Sequence, residues 1–140
     1  MRHRLSLILL VLAGSSLALP AAASPASSAP KITQVQAMRT ELGSKLTIRG
    51  QGFSSRRLHN TLIFRAPSGQ TAFAKPARAS AGKLVVRVPY SLASLMSHPD
   101  GQSVPTRFKL RVLSGRLGAY TPKRLSPVVV PPGAASPLGG

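Results

Sequence analysis

The sequence predicts an all-β domain, a sandwich of about seven short strands. Three observations carry this. Apolar and polar residues alternate with the period of a half-buried strand in Leu46-Thr47-Ile48-Arg49, in Leu84–Val88 and in Phe108–Val112. Clusters of Gly, Pro and Ser separate these runs at short, regular intervals. Only Ser91–Met96 has helical spacing, and it is long enough for one turn.

Taken in order, Ile32 and Val35 begin the first strand, and Glu41-Leu42-Gly43-Ser44 forms a turn. Lys45–Gly50 is the second strand, with Leu46 and Ile48 inward. Gly50 and Gly52 close it, glycine allowing positive φ without steric cost, and Phe53 follows where it can plug the end of a core. Ser54–His59 is a polar loop holding Arg56 and Arg57, and Thr61–Ala66 is the third strand, with Leu62 and Phe64 inward. Pro67-Ser68-Gly69 is a tight turn into Gln70–Lys75, a hairpin partner with either Ala72 and Ala74 or Thr71 and Phe73 inward. Ala81-Gly82 leads into Lys83–Val88, which Pro89 ends because it has no N–H for a ladder. Leu92, Leu95 and Met96 predict a helical turn over 91–97, closed by Pro99-Asp100-Gly101. Thr106–Leu113 is the longest strand, with Phe108, Leu110 and Val112 inward; Ser114-Gly115 turns into a last strand over Leu117–Leu125. Residues 128–140 are Pro- and Gly-rich and predict a disordered tail, in which Val128-Val129-Val130 could extend the edge of the last strand.

The closing motif Gly50-Gln51-Gly52-Phe53, the following strand Asn60–Phe64, the proline-capped Leu84–Pro89 and the strand Phe108–Val112 together resemble the IPT/TIG family. That family is an immunoglobulin-like β-sandwich in which a strand ends in a Gly-x-Gly-Phe or Gly-x-x-Phe turn and a short alternating strand follows. The resemblance covers residues 31–127. It implies a binding or spacer module of secreted and surface proteins, and it names no ligand.

The N-terminal segment has the three parts of a secretory signal peptide: basic Arg2-His3-Arg4, apolar Leu5–Leu19 and small Ala21-Ala22-Ala23. The apolar run is shorter than the roughly 20 residues a spanning helix needs, and Pro20 ends it. Residues 1–23 are therefore expected to be removed near Ala23, leaving a flexible leader over 24–30, the sandwich over 31–127, and a secreted, periplasmic or cell-envelope location without a transmembrane anchor. The chain has no cysteine, so it has no disulfide and no thiol ligand or nucleophile. A core of this size removes roughly 60–65% of its unfolded surface from water, enough to hold the fold without crosslinks.

The formal net charge is +17, with 19 Lys and Arg against Glu41 and Asp100 alone. A field this one-sided attracts polyanions. The acids are too few for a carboxylate pair or a calcium site, and His59 and His98 stand in loops without a second ligand at metal spacing. His98-Pro99-Asp100 is not matched by a serine on an elbow motif. The sequence therefore points to a non-enzymatic protein with no catalytic, cofactor or metal site. The basic residues remain. In an immunoglobulin-like sandwich the strand of Arg65 pairs with the strand of Lys109, which places Arg65, Arg107, Lys109, Arg111 and Lys123 on one exposed sheet face. Residues two apart along a strand stand about 6.6–6.8 Å apart, a spacing that can follow a repeating phosphate. Arg56 and Arg57 form a second basic patch. The expected partners are anionic envelope polymers: teichoic acid, lipopolysaccharide or acidic polysaccharide. Nucleic acid is expected to bind only non-specifically, because most of the aromatic residues read as core rather than as stacking platforms. The alternative is a protein–protein adhesion or spacer module that uses a sheet edge, with incidental charge.

Overall fold

Eleven short strands in three sheets account for the architecture of the computed structural model, which describes residues 28–134. The predicted signal peptide, the start of the leader and the end of the tail lie outside the described residues. The strands are β1 (Lys31–Gln36), β2 (Arg39–Glu41), β3 (Lys45–Gln51), β4 (Asn60–Arg65), β5 (Thr71–Ala74), β6 (Arg78–Ser80), β7 (Lys83–Arg87), β8 (Thr106–Arg107), β9 (Lys109–Ser114), β10 (Arg116–Leu117) and β11 (Val128–Val130). One sheet has the order β1-β3-β7-β6, a second β10-β9-β4-β5, and a third β2-β11-β8. All pairings are antiparallel except that of β11 with β2. The all-β class read from the sequence is the class of the structure.

Alternation decides what each strand buries. Leu46 and Ile48 of β3, Leu84 and Val86 of β7, Leu62 and Phe64 of β4, and Leu110 and Val112 of β9 belong to one apolar cluster. Phe108, the residue between β8 and β9, stands edge-to-face on Phe64, with ring centroids 6.5 Å apart. Leu92 and Met96 close one side of the core from the 3-10 turn Tyr90–Leu95 and its C-cap. The expected helical turn is thus present, in the tighter 3-10 form.

The Gly-Gln-Gly-Phe closure of β3 has two different requirements. Gly52 has φ +75°, the left-handed region that glycine enters freely. Gly50 is needed for space: a Cβ there would fall on the Lys31 carbonyl and the Phe53 ring. Phe53 itself is buried in the core.

Three expectations need correction. No strand covers Leu117–Leu125. After β10 the chain makes only isolated contacts with β9: Gly118 N–H donates to the Val112 carbonyl, and Thr121 exchanges bonds with Leu110 through its N–H and its hydroxyl. A 3-10 turn, Lys123–Leu125, follows. The second correction concerns the tail, which does not begin at residue 128. Val128–Val130 is β11, held between β2 and β8, with Val129 and Val130 fully buried. Third, the strands outnumber the expected seven by four: β2 and β6 are three-residue strands with too little alternation to be read, β11 was assigned to the tail, and the expected single strand Thr106–Leu113 breaks at Phe108 into β8 and β9, which belong to different sheets. The open register of β5 is resolved: Ala72 is buried and Ala74 half-buried, while Thr71 and Phe73 face solvent.

Candidate anion-binding site

β4 and β9 pair in the register that opposes Arg65 to Lys109. Directly opposed residues have Cβ atoms about 4.5–5.5 Å apart, so two cations stand side by side on the outer face. Arg107 and Lys123 do not stand on that sheet face as expected: Arg107 is on β8 of the sheet β2-β11-β8 and Lys123 is in the 3-10 turn Lys123–Leu125, and both reach the same place from there. These four line one cleft of about 560 Å³, together with Ala66, Pro67, Pro122 and Ser126.

Lys123 reaches the cleft because a buried polar cluster folds the segment before β11. Thr121 is 4% and Ser126 0% exposed, and their hydroxyls are 2.9 Å apart. Ser126 Oγ also donates to the Pro122 carbonyl at 2.9 Å, and Thr121 Oγ1 accepts from Leu110 N–H at 2.8 Å. Arg107 ties the same segment from outside, its Nη1 donating to the Ser126 carbonyl at 2.7 Å and the Lys123 carbonyl at 3.2 Å. Arg107 therefore builds the cleft as well as lining it.

Arg111 does not line this cleft. Its guanidinium lies 4.9 Å from the Tyr120 ring centroid, and that of Arg65 lies 5.3 Å from the same centroid. Arg111 Nε also donates to the Gly118 carbonyl. Tyr120 thus sits as an aromatic beside two cations, and Phe73 is 62% exposed on the same sheet. The sequence reading that most aromatics are core holds for Phe53, Phe64 and Phe108 and fails for the other three: Phe73 and Tyr90 are exposed and Tyr120 is half-buried.

Arg56 and Arg57 are exposed and stand apart from the cleft. Their loop is pinned by the buried Asn60, which accepts from Ser54 N–H and donates to the Ser54 and Arg56 carbonyls. Asn60 and Arg65 are the two ends of β4, roughly 16 Å apart at strand rise. A further cationic surface, not expected as a site, lies on another sheet. On the sheet β1-β3-β7-β6, Lys45 opposes Arg87 and Arg49 opposes Lys83. The signal for it was there, since all four lie on the outward phase, but which strands pair was not legible. Arg87 spends part of its charge on the Gly43 carbonyl, at 2.8 Å.

His98 Nε2 and Ser103 Oγ are 2.8 Å apart in an exposed loop, and neither lines the cleft. Among the described residues no three His, Cys, Asp or Glu side chains converge. No helix among them is long and apolar enough to cross a membrane.

No family model matches the chain, and no curated protein does. A solved structure of a structural-genomics protein of unknown function from Bacteroides thetaiotaomicron is similar over 76% of this chain, at 11% identity and a TM-score of 0.53. The match covers 22% of that protein's length, so this chain resembles one portion of a larger molecule. At that identity the likeness concerns the fold alone.

Proposed function

We propose that this chain is a secreted, non-enzymatic binding module of IPT/TIG-like, immunoglobulin-like sandwich form that holds anionic cell-envelope polymers in the cleft of Arg65, Arg107, Lys109 and Lys123. The sandwich form is supported by the shared core of the sheets, by the parallel pairing of β2 with β11 and by the glycine–phenylalanine closure of β3. The observation that carries the binding function is the opposed Arg65–Lys109 pair within the cleft. Like charges directly opposite one another on a sheet repel and cost stability. An anion seated between them turns that repulsion into attraction. Phosphate, sulfate and carboxylate all suit it, and a guanidinium adds a bidentate donor fork.

Binding through about four such contacts releases condensed counterions. Against a duplex-like polyanion the log–log salt slope is then about −3.6, and raising salt from 50 to 200 mM weakens binding by roughly a hundredfold. A less densely charged wall polymer gives a shallower slope. The test is a salt titration against purified teichoic acid. It compares wild type, the cleft variant Lys109→Gln/Lys123→Gln and the loop variant Arg56→Gln/Arg57→Gln. The cleft variant is expected to lose both affinity and slope, and the loop variant much less. Salt-insensitive binding, or equal loss in the two variants, rejects the cleft in favour of generic charge or of protein adhesion.

A further inference from the structure

The outer face of the sheet β10-β9-β4-β5 is cationic at one end and mostly apolar at the other, where Lys75 at the rim donates to the Leu58 carbonyl and the Thr61 hydroxyl. Strand register assigns each side chain to a row. Lys109 and Arg65 share one row. In the next, Arg111 opposes Ile63, which opposes Phe73. In the third, Leu117 opposes Leu113, which opposes Thr61. Rows on one face repeat about every 6.6–6.8 Å. Phe73 is 62% exposed, Leu117 44% and Leu113 39%, and Ile63 lies among them at 9%. Three large apolar side chains are therefore held in water beside the cations of the same surface.

We propose that this face docks on the surface of an anionic phospholipid membrane. Arg65, Lys109 and Arg111 take lipid phosphates, and Phe73, Leu113 and Leu117 enter the boundary of the acyl region. The cationic row rests on the anion-binding function above; the apolar rows are the new observation. A soluble polyanion satisfies the cations and leaves the three apolar side chains wet. A second copy of the chain would cover them, but a two-fold contact of this face sets its cations either against the partner's cations or against the partner's apolar side chains, and neither satisfies them. An anionic bilayer satisfies both halves, with phosphates at the level of the cations and hydrocarbon just beneath. Tyr120, packed on Arg65 and Arg111, is an aromatic suited to the interfacial level.

The test uses the chain from Ser24 onward, which keeps every described residue and removes the apolar N-terminal run as a membrane binder of its own. It is mixed with phosphatidylglycerol vesicles, with phosphatidylcholine vesicles and with soluble polyphosphate, and bound protein is measured by sedimentation or by competition. Wild type is expected to bind phosphatidylglycerol vesicles and polyphosphate but not phosphatidylcholine. Phe73→Ser/Leu113→Thr is expected to weaken vesicle binding about tenfold and to leave polyphosphate binding unchanged. Arg65→Gln/Lys109→Gln is expected to weaken both, by roughly fivefold per charge on vesicles. Vesicle binding unaffected by the apolar variant overturns the proposal. Polyphosphate binding without vesicle binding also overturns it, while leaving the anion-binding function intact. Loss of both ligands by the apolar variant, with an unchanged melting temperature, overturns it too. Self-association of wild type that the apolar variant abolishes, with vesicle binding unchanged, assigns the face to a second copy instead.

Discussion

Single residues show most directly how this sequence encodes its fold. Phe53 was legible because a large apolar residue directly after a glycine closure has few places to go but the core. Phe53→Ala is expected to cost about 3–5 kcal/mol in urea or thermal unfolding, and a change below about 1 kcal/mol would place the ring on the surface. The role of Gly50 was legible only in part. Its sequence suggested positive φ, whereas the structure needs it for the close approach of Lys31 and Phe53. Gly50→Ala is therefore expected to act by overpacking, at about 1–3 kcal/mol, with no relief from a residue that tolerates left-handed backbone such as asparagine. Lys109 carries the opposite expectation. Its charge is set against Arg65 across the strand pair. Lys109→Gln should stabilise the folded protein by about 0.2–1 kcal/mol at low ionic strength, an increment that vanishes in high salt. A destabilised Lys109→Gln would show that the pair does not repel in the folded state. Stability gained on removing a charge is what a site shaped by binding rather than by folding should show.

Legibility at the level of elements follows the number of faces a strand buries. β3, β4, β7 and β9 bury one face well, so their alternation was visible in sequence; that the strand of Arg65 pairs with the strand of Lys109 was expected, but the register that opposes the two residues was not legible. β5 was ambiguous because its inward residues are alanines and its largest residue, Phe73, faces out. β11 was read as tail because Val128-Val129-Val130 does not alternate. A strand with neighbours on both sides and little solvent contact has no polar phase to show. The segment over Leu117–Leu125 misled in the other direction. Its apolar residues look strand-like, but Thr121 and Ser126 spend their hydroxyls on backbone groups and fold it into the turn that presents Lys123. Side-chain bonding of this kind competes with ladders and leaves no periodic trace. If β11 belongs to the core, Val129→Ala should cost about 2 kcal/mol, the low end for buried aliphatic truncation. Ending the chain after Pro127 should do more, raising amide exchange in β2 and β8 together. A truncated chain with native melting and protected β8 amides would return residues 128–140 to a tail.

The whole molecule is governed by its charge. With 19 basic and two acidic residues, cations line the outward phases of the sheets β1-β3-β7-β6 and β10-β9-β4-β5, and three cross-strand pairs oppose cation to cation. The folded state holds these charges closer together than the unfolded chain does, so their repulsion lowers stability at low salt. Any salt should therefore raise the melting temperature by screening. Specific anion binding adds a second contribution that depends on anion valence and not on ionic strength alone. A ligand that binds only the folded state at ten times its dissociation constant adds about 1.4 kcal/mol. For a domain of this size that corresponds to a rise of about 5–10 °C. Composition made the attraction to anions legible, but not its location, because location depends on which strands pair and on a turn built by buried hydroxyls. The two contributions separate by comparing tripolyphosphate with sodium chloride at matched ionic strength. Wild type is expected to melt higher in tripolyphosphate, while Lys109→Gln/Lys123→Gln keeps the screening rise and loses most of the remainder. An equal rise in both salts would mean that the cations act only as a diffuse field, and the cleft would then hold no ligand of its own.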